Sequence, residues 1–259
     1  MSHSTFGLQQ SISHLSEARR TDSVIIFLSG PSSSDTPLSS LSEYDTICVN
    51  GSAEYLIVRG VKPFIYLVTD HNYFKRNSQA FFRQASQCHH TVISKELFDV
   101  AIQTHRDAIR QLSPTVIHRA CKSKKGGIKN FIRLKFKYWN RREITYTAPL
   151  RKSGIIYGYS RDIRFGYFHA RTVAYAATQL AESLSYSRVY FSGFDMTGAS
   201  GRFYDSKGAP QEKTTLDEDY DTILNALRCM KENSRIETYN LSRNTRIPYH
   251  LIPFAESVE

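Results

Sequence analysis

Several things that would declare a class outright are missing from this sequence. No apolar run approaches the ~20 residues that a hydrocarbon core demands, and the first twenty residues hold no apolar stretch of the secretory-signal kind. Cysteine is scarce: Cys48, Cys88, Cys121 and Cys229 stand far apart, with no C-x-x-C spacing, so reduced thiols are expected. Cys88-His89-His90 is the one cluster with metal-ligand chemistry, yet neighbours on a strand or helix point apart and rarely chelate together, so no metal is expected. There is no internal repeat, no Walker A loop, no G-x-G-x-x-G and no recognised RNA- or DNA-binding motif. Acid is missing locally as well. Arg119, Lys122, Lys124, Lys125, Lys129, Arg133, Lys135, Lys137, Arg141 and Arg142 follow one another without an Asp or Glu between them.

What is present is enough for a core. With 259 residues, 41% hydrophobic and 12% aromatic, the chain can bury one sizeable α/β domain, or one domain with a smaller lid. Val-Ile-Ile-Phe-Leu over residues 24–28 stops at Ser29-Gly30-Pro31, Thr-Ile-Cys-Val over 46–49 at Asn50-Gly51, and Phe-Ile-Tyr-Leu-Val over 64–68 at Thr69-Asp70. Weaker runs lie at 91–93 and 115–117, and two more at 188–191 and 236–241. Each reads as a short strand ended by turn chemistry. Helical patterns fall between them, at 53–59, 73–84, 95–112, 172–184 and 217–232. The fourth puts Val173, Ala176, Ala177, Leu180, Ala181 and Leu184 on one face. Uninterrupted apolar strands alternating with helices predict an α/β fold, a Rossmann-like and mostly parallel sheet with helices on both faces. The rhythm breaks over 113–153, a basic, aromatic stretch punctuated by Gly126-Gly127, which reads as a lid insertion. The expected organisation is a polar N-terminal arm over 1–21, a nucleotide-binding domain in two parts (22–112 and 154–259), and the lid between them.

Ligands of open α/β sheets bind outside the carboxyl ends of the strands, so the residues that stop each strand are the candidates. After the first strand, Ser29, Gly30, Pro31 and Ser32 offer hydroxyls and amides to a phosphate; a generic strand-to-helix turn is the alternative. Asn50 can hydrogen-bond base, ribose or phosphate, and Asp70 can orient a hydroxyl, or both can simply cap helices. Arg164, His169 and Arg171 precede a helix that opens at Thr172, a ready anion site or else a plain basic loop. Gly193 and Asp195 end a later strand, and Arg202 and Tyr204 follow. Glu218 and Asp219, in the first turn of the last helix, are candidates for a general base, or solvated acids that suit the helix dipole. In the basic stretch, Lys124, Lys125, Lys129, Arg133, Lys137, Trp139 and Arg141 suit an anionic surface, whether nucleic acid, acidic phospholipid or phosphorylated glycolipid; a solvated face is the alternative.

The motifs together resemble a known family. Ile-Ile-Phe-Leu-Ser-Gly-Pro-Ser over 25–32, Val-Asn-Gly-Ser over 49–52, Lys-Pro-Phe-Ile-Tyr from Lys62, Arg-Thr-Val-Ala-Tyr-Ala-Ala from Arg171, Ser-Gly-Phe-Asp-Met-Thr-Gly over 192–198, Arg-Phe-Tyr-Asp over 202–205 and Tyr-Asn-Leu-Ser over 239–242 resemble the WaaZ (RfaZ) lipopolysaccharide-core proteins. The resemblance implies an enzyme that adds a 3-deoxy-D-manno-octulosonic acid (Kdo) residue to the inner core from CMP-Kdo, as a peripheral protein on the cytoplasmic face of the bacterial inner membrane. A homo-oligomer stays open, and no nucleic acid is expected. A more distant likeness to the Campylobacter-type sialyltransferases, which also use a CMP-activated keto-acid sugar, implies a GT-A-like architecture; with no metal-ligand cluster in the sequence, no metal is expected. Gly30-Pro31-Ser32, Asn50 and Ser192-Gly193-Phe194-Asp195 match its motifs, and Tyr204 is the nearest counterpart of its phosphate-assisting tyrosines. Those enzymes use a histidine base just before the penultimate helix; this chain has Leu216-Asp217-Glu218-Asp219-Tyr220 there, and Glu218 or Asp219 would substitute. With the metal absent, Arg164, Arg171, Tyr204, a helix N-terminus and Arg202 would stabilise the departing phosphate. The alternatives are a sialyltransferase-like enzyme with another CMP-sugar donor, a magnesium-dependent pyrophosphokinase on a related fold, and a non-catalytic basic scaffold that binds glycolipid or nucleic acid.

Overall fold

All seven apolar runs become strands. The computed structural model describes residues 2–122, 125–197 and 216–259. In chain order the strands are β1 (Ser23–Phe27), β2 (Asp45–Val49), β3 (Ile65–Val68), β4 (His90–Ser94), β5 (Thr115–Ile117), the short pair β6 (Ile144–Thr147) and β7 (Tyr157–Ser160), then β8 (Arg188–Ser192) and β9 (Glu237–Asn240). Seven pair in parallel in the order β5-β4-β3-β2-β1-β8-β9, while β6 and β7 form a separate antiparallel ribbon.

The runs are continuous because both faces of this sheet are covered. Along β1, Val24 and Ile26 point into one core and Ile25 and Phe27 into the other, and Tyr66 and Leu67 of β3 divide the same way. Helices α2 (Leu38–Glu43), α3 (Ala53–Ile57), α4 (His71–Arg76), α5 (Ser78–Ala85), α6 (Lys95–Thr104) and α7 (Arg106–Leu112) bury Leu41, Leu56, Phe74, Phe81, Leu97 and Ile109 on one face. The other face takes α1 (Ser2–Glu17), α8 (Ile128–Lys137), α9 (Val173–Ser183) and α10 (Leu216–Asn233). Right-handed crossovers force this division. Moving from β1 outward to β5 puts every crossover on one side, and reversing direction to reach β8 and β9 puts the later ones on the other.

Three differences from the expected elements have local causes. The polar stretch at the N-terminus forms α1, whose Leu8, Ile12 and Leu15 follow helical spacing and are buried in the core. The helix expected over 73–84 divides at Asn77, whose side chain donates to the Tyr73 carbonyl (3.1 Å) and competes with the helical pattern. The one expected over 95–112 divides at His105, where φ leaves the helical region. Within the stretch expected as a lid over 113–153, Thr115–Ile117 is the edge strand of the main sheet. The excursion that follows runs through α8 to the β6–β7 ribbon, which ends at Ser160.

Candidate active site

The order of the sheet reverses between β1 and β8. At such a switch point adjacent loops leave in opposite directions and open a crevice at the carboxyl edge. Two loops meet there. The Leu28 amide donates to the Ser192 carbonyl (2.9 Å) and the Gly30 amide to the Gly193 carbonyl (3.1 Å), so the strand pairing runs on into both turns. Neither glycine has room for a side chain. A Cβ on Gly30 would stand 2.3 Å from the Gly193 carbonyl oxygen, and one on Gly193, at φ +75°, would stand 1.8 Å from Ser33 Oγ.

Asp195 fastens the loops together. Its carboxylate accepts from the Ser32 amide (2.8 Å) and the Ser32 hydroxyl, and that hydroxyl also meets Ser242 Oγ beyond β9. Thr36 Oγ1 and Ser192 Oγ are 2.8 Å apart beneath them. The Ser32 amide, expected to be offered to a phosphate, is thus already engaged, and Asp195 acts as the clasp of the β1 loop. Asn240 Nδ2 donates to the Phe194 carbonyl (3.2 Å), Thr245 Oγ1 to the same carbonyl (2.8 Å), and the Arg246 amide to the Asp195 carbonyl (2.9 Å). Ser242, Thr245 and Arg246 were not among the candidates. The signal was there in part, since Ser242 is a polar residue that follows a strand, as Ser29 and Asn50 do.

One strand over, Asn50 ends β2 in the left-handed region, at φ +48°. Its Oδ1 is buried and has no hydrogen-bond partner. An orphaned buried acceptor beside a crevice is what a ligand donor would satisfy. Helix α9 packs on β1 and β2 and runs antiparallel to the strands, so its N-terminus also stands at this edge. There Thr172 accepts from the Ala174 amide (3.3 Å) as N-cap, and Arg171, at φ +61°, pairs with Asp219 of α10 (3.1 Å). Arg246 ties Asp217, at the start of α10, to the Asp195 loop.

Not every candidate joins this group. Arg164 lies at the far end of α9, where the preceding Asp162 holds its guanidinium through both carboxylate oxygens (2.6–2.9 Å) and the Ile163 amide donates to Ser183. Eleven residues of helix, roughly 16 Å, separate the two ends. Arg164 therefore orders its own turn and does not face the crevice. Asp70 caps α4 by accepting from the Asn72 amide (2.8 Å), two strands away from β1. Glu218 is exposed, whereas Asp219 is largely buried. Arg202, Tyr204 and Lys124 lie outside the described residues.

The basic stretch is organised around α8. Leu134 and Tyr138 turn inward, and the Tyr138 hydroxyl meets the carbonyls of Ala120 (2.9 Å) and Phe165 (3.0 Å). Lys137 donates to the Ala120 carbonyl (3.0 Å), Arg141 lies 4.3 Å over the Phe165 ring, and Lys125 bridges to Ile155. Lys129 and Arg133 are exposed. So are Ile128, Ile132, Phe136 (80%) and Trp139 (78%). Among the described residues no three His, Cys, Asp or Glu side chains converge on a metal position; His90 packs edge-on against His14 and Phe64. No described helix is long and apolar enough to cross a membrane.

Comparison with known proteins decides the family. The model for "3-deoxy-D-manno-octulosonic acid transferase WaaZ" matches residues 6–258. The chain belongs to this family. The chain is also 36% identical over 247 residues to a probable 3-deoxy-manno-octulosonic acid transferase of Escherichia coli (strain K12), covering 95% of this chain and 87% of that one. A Salmonella typhimurium (strain LT2) protein of the same description is 36% identical over 244 residues, covering 93% and 90%. The WaaZ match thus takes in the switch-point loops, α8 and the α9–α10 junction together.

Proposed function

We propose that this chain transfers Kdo from CMP-Kdo to a hydroxyl of a Kdo residue in the lipopolysaccharide inner core, using the crevice between β1 and β8 for the donor. The transferase class and the lipopolysaccharide-core setting come with the family. The reading rests on one observation: two loops without room for side chains are clasped together by Asp195 at the switch point of a doubly wound sheet, with the unpartnered Asn50 acceptor beside them. A GT-A-like, sialyltransferase-type organisation fits this arrangement.

In the reaction the acceptor oxygen bonds to the anomeric carbon of Kdo. The bond from that carbon to the CMP phosphate oxygen breaks with its electron pair, and the hydroxyl proton passes to Asp219. Arg171 orients that carboxylate, and the first amides of α9 face the developing phosphate charge. Asn50 Oδ1 takes a donor group of the nucleotide. The described carboxylates around the crevice are already engaged: Asp195 by Ser32, Asp217 by Arg246 and Asp219 by Arg171. A magnesium ion needs several free oxygen ligands, which this set does not offer, so donor binding is proposed to be metal-independent.

The test is calorimetry with CMP in magnesium and in a chelator, coupled to mass spectrometry of core oligosaccharide from cells with and without the protein. Equal CMP affinity in both buffers and loss of one Kdo mass without the protein are expected. Arg171→Ala is expected to lower turnover at least tenfold while the far-ultraviolet dichroism is unchanged. Magnesium-dependent CMP binding, or an unaltered core, would refute the reading.

The exposed face of α8 is proposed to rest on the inner-membrane surface. Its apolar residues and the flanking Lys129 and Lys135 have the composition of an interfacial helix.

A further inference from the structure

A cavity lies away from the switch point. It has a volume of about 160 Å³, well above the ~10–15 Å³ that a single water needs. Its floor is the carboxyl ends of β4 and β5, and its roof is the inner side of α8. The side chains around it are unbalanced in charge: Lys95, Arg119, Lys122, Arg133 and Lys137 stand against Glu96 alone, with His118 and Asn130 between them. Part of that charge is already neutralised, since Lys95 pairs with Asp99 and Arg119 lies 3.5 Å from Glu96. Lys122, Arg133, Lys137 and His118 remain turned to the cavity with only Glu96 to balance them.

The walls hold buried polar atoms that are poorly satisfied. Glu96 Oε2 has no hydrogen-bond partner, and Arg119 Nε and Tyr167 Oη, which lie beside each other and beside Glu96 and Ser94, make no well-aligned bond. Tyr167 is tied to this wall by backbone bonds to His118 (2.9 Å) and Ala120 (2.8 Å). Crowding of like charge shows in the titrating groups. Burial and then Arg133 pull the Lys137 ammonium below its ordinary value, and burial and then Lys137 do the same to His118. Both shifts are what an anion in the cavity would reverse.

We infer that the cavity between β4, β5 and α8 binds an anionic group, a phosphoryl or a sugar carboxylate, of the acceptor glycolipid. Only the identity of the ligand rests on the transferase reading; the anion site rests on the cavity itself. The position suits an acceptor. The cavity opens at the same carboxyl edge as the donor crevice, and with strands ~4.8 Å apart it lies three to four strands, about 14–19 Å, along the sheet. An acceptor anchored there by one charged group would extend towards Asn50 and Asp195. The helix that roofs the cavity also presents Ile128, Ile132 and Phe136 outward, with Trp139 exposed just beyond its end, where the lipid chains of such a molecule would lie.

The experiment titrates the full chain with deacylated inner-core oligosaccharide bearing phosphate and Kdo, with the same oligosaccharide after dephosphorylation, and with inorganic phosphate. CMP is titrated in parallel. The intact oligosaccharide is expected to bind and to raise the pKa of His118, followed by its imidazole resonances. Arg133→Ala and Lys137→Ala are each expected to weaken binding at least tenfold. Lys75→Ala with Arg110→Ala, exposed on α4 and α7 and outside the cavity, should change it less than twofold. Binding that survives dephosphorylation assigns the carboxylate, and binding that is lost with it assigns the phosphoryl group. Equal effects of the two variant sets, or inorganic phosphate binding as tightly as the oligosaccharide, would overturn the inference. Intact CMP binding without any oligosaccharide binding sinks this inference alone, and the converse sinks the donor reading alone.

Discussion

At the scale of single residues, the loops at the switch point leave little freedom. Gly193→Ala must move Ser33, whose Oγ holds the Leu28 and Gly30 carbonyls, and must also hold alanine at φ +75°. A cost of about 1–3 kcal/mol is expected from the backbone conformation and the displaced turn together. CMP titration should show affinity reduced at least tenfold while the unfolding transition remains cooperative. The two buried thiols offer a different check. Burial pushes the Cys88 thiol up to about 12 and also raises the Cys48 thiol well above its ordinary value. Since the thiolate is the reactive form, neither residue should be alkylated appreciably by iodoacetamide at pH 8 in the folded protein. Both should react once urea unfolds the chain and returns them to an ordinary value. Peptide mapping after a timed pulse reads this out, and rapid labelling of Cys88 in native buffer would contradict the burial described here.

At the scale of elements, α9 joins the two ends of the sheet, and its last turn carries a carboxylate with a cost. Glu182 accepts from the Tyr159 hydroxyl (2.7 Å) and the Arg235 amide (3.1 Å), but burial, the largest effect, raises its pKa above the ordinary 4.5. A carboxyl whose folded pKa is raised binds its proton more readily when folded, so its contribution is favourable below pH 4.5 and is lost as pH climbs through the folded value. Urea denaturation of wild type and Glu182→Gln should therefore show the wild type losing stability relative to the variant between about pH 4.5 and neutrality; a constant difference would argue against it. How far such elements could be read from the sequence depended on how many faces they bury. The parallel strands are buried on both sides and so stand out as unbroken apolar runs, as in Val24 to Leu28. The β6–β7 ribbon alternates buried Ile144 with exposed Thr145 and Thr147 and leaves no such run. Helix α8 has apolar residues at helical spacing, at 128, 131, 132 and 136, but most of them face outward among Lys129, Arg133, Lys135 and Lys137, so the stretch reads as basic and aromatic rather than as a helix packed on a core. At the site, strand-ending residues such as Gly30, Asn50 and Gly193 could be read because turn chemistry marks them. The bond from Asp195 to Ser32 joins residues 163 positions apart, and no local pattern reports such a pairing.

At the scale of the whole molecule, the question is how an enzyme with no described membrane-crossing helix meets a lipid-bound acceptor. The formal charge of +10 is concentrated in the excursion between β5 and β7, and α8 of that excursion roofs the cavity at the carboxyl ends of β4 and β5. Two contributions would hold it on a bilayer. Each basic residue near an anionic surface supplies about 1 kcal/mol and loses it as salt rises. Inserting a large apolar side chain supplies roughly 1.5–3 kcal/mol and is insensitive to salt. Phe136 and Trp139 are almost fully exposed, so replacing them removes little from the folded state. The double variant Phe136→Asp, Trp139→Asp should therefore keep its unfolding midpoint and its affinity for CMP. Flotation with vesicles containing phosphatidylglycerol should show its bound fraction falling at least tenfold. Wild type should keep a salt-resistant remainder that the variant lacks, because charge alone is screened within a distance of about 8 Å at physiological ionic strength. If the variant and the wild type dissociate together as salt rises, the outward aromatic residues do not enter lipid, and α8 holds the enzyme near the membrane by charge only.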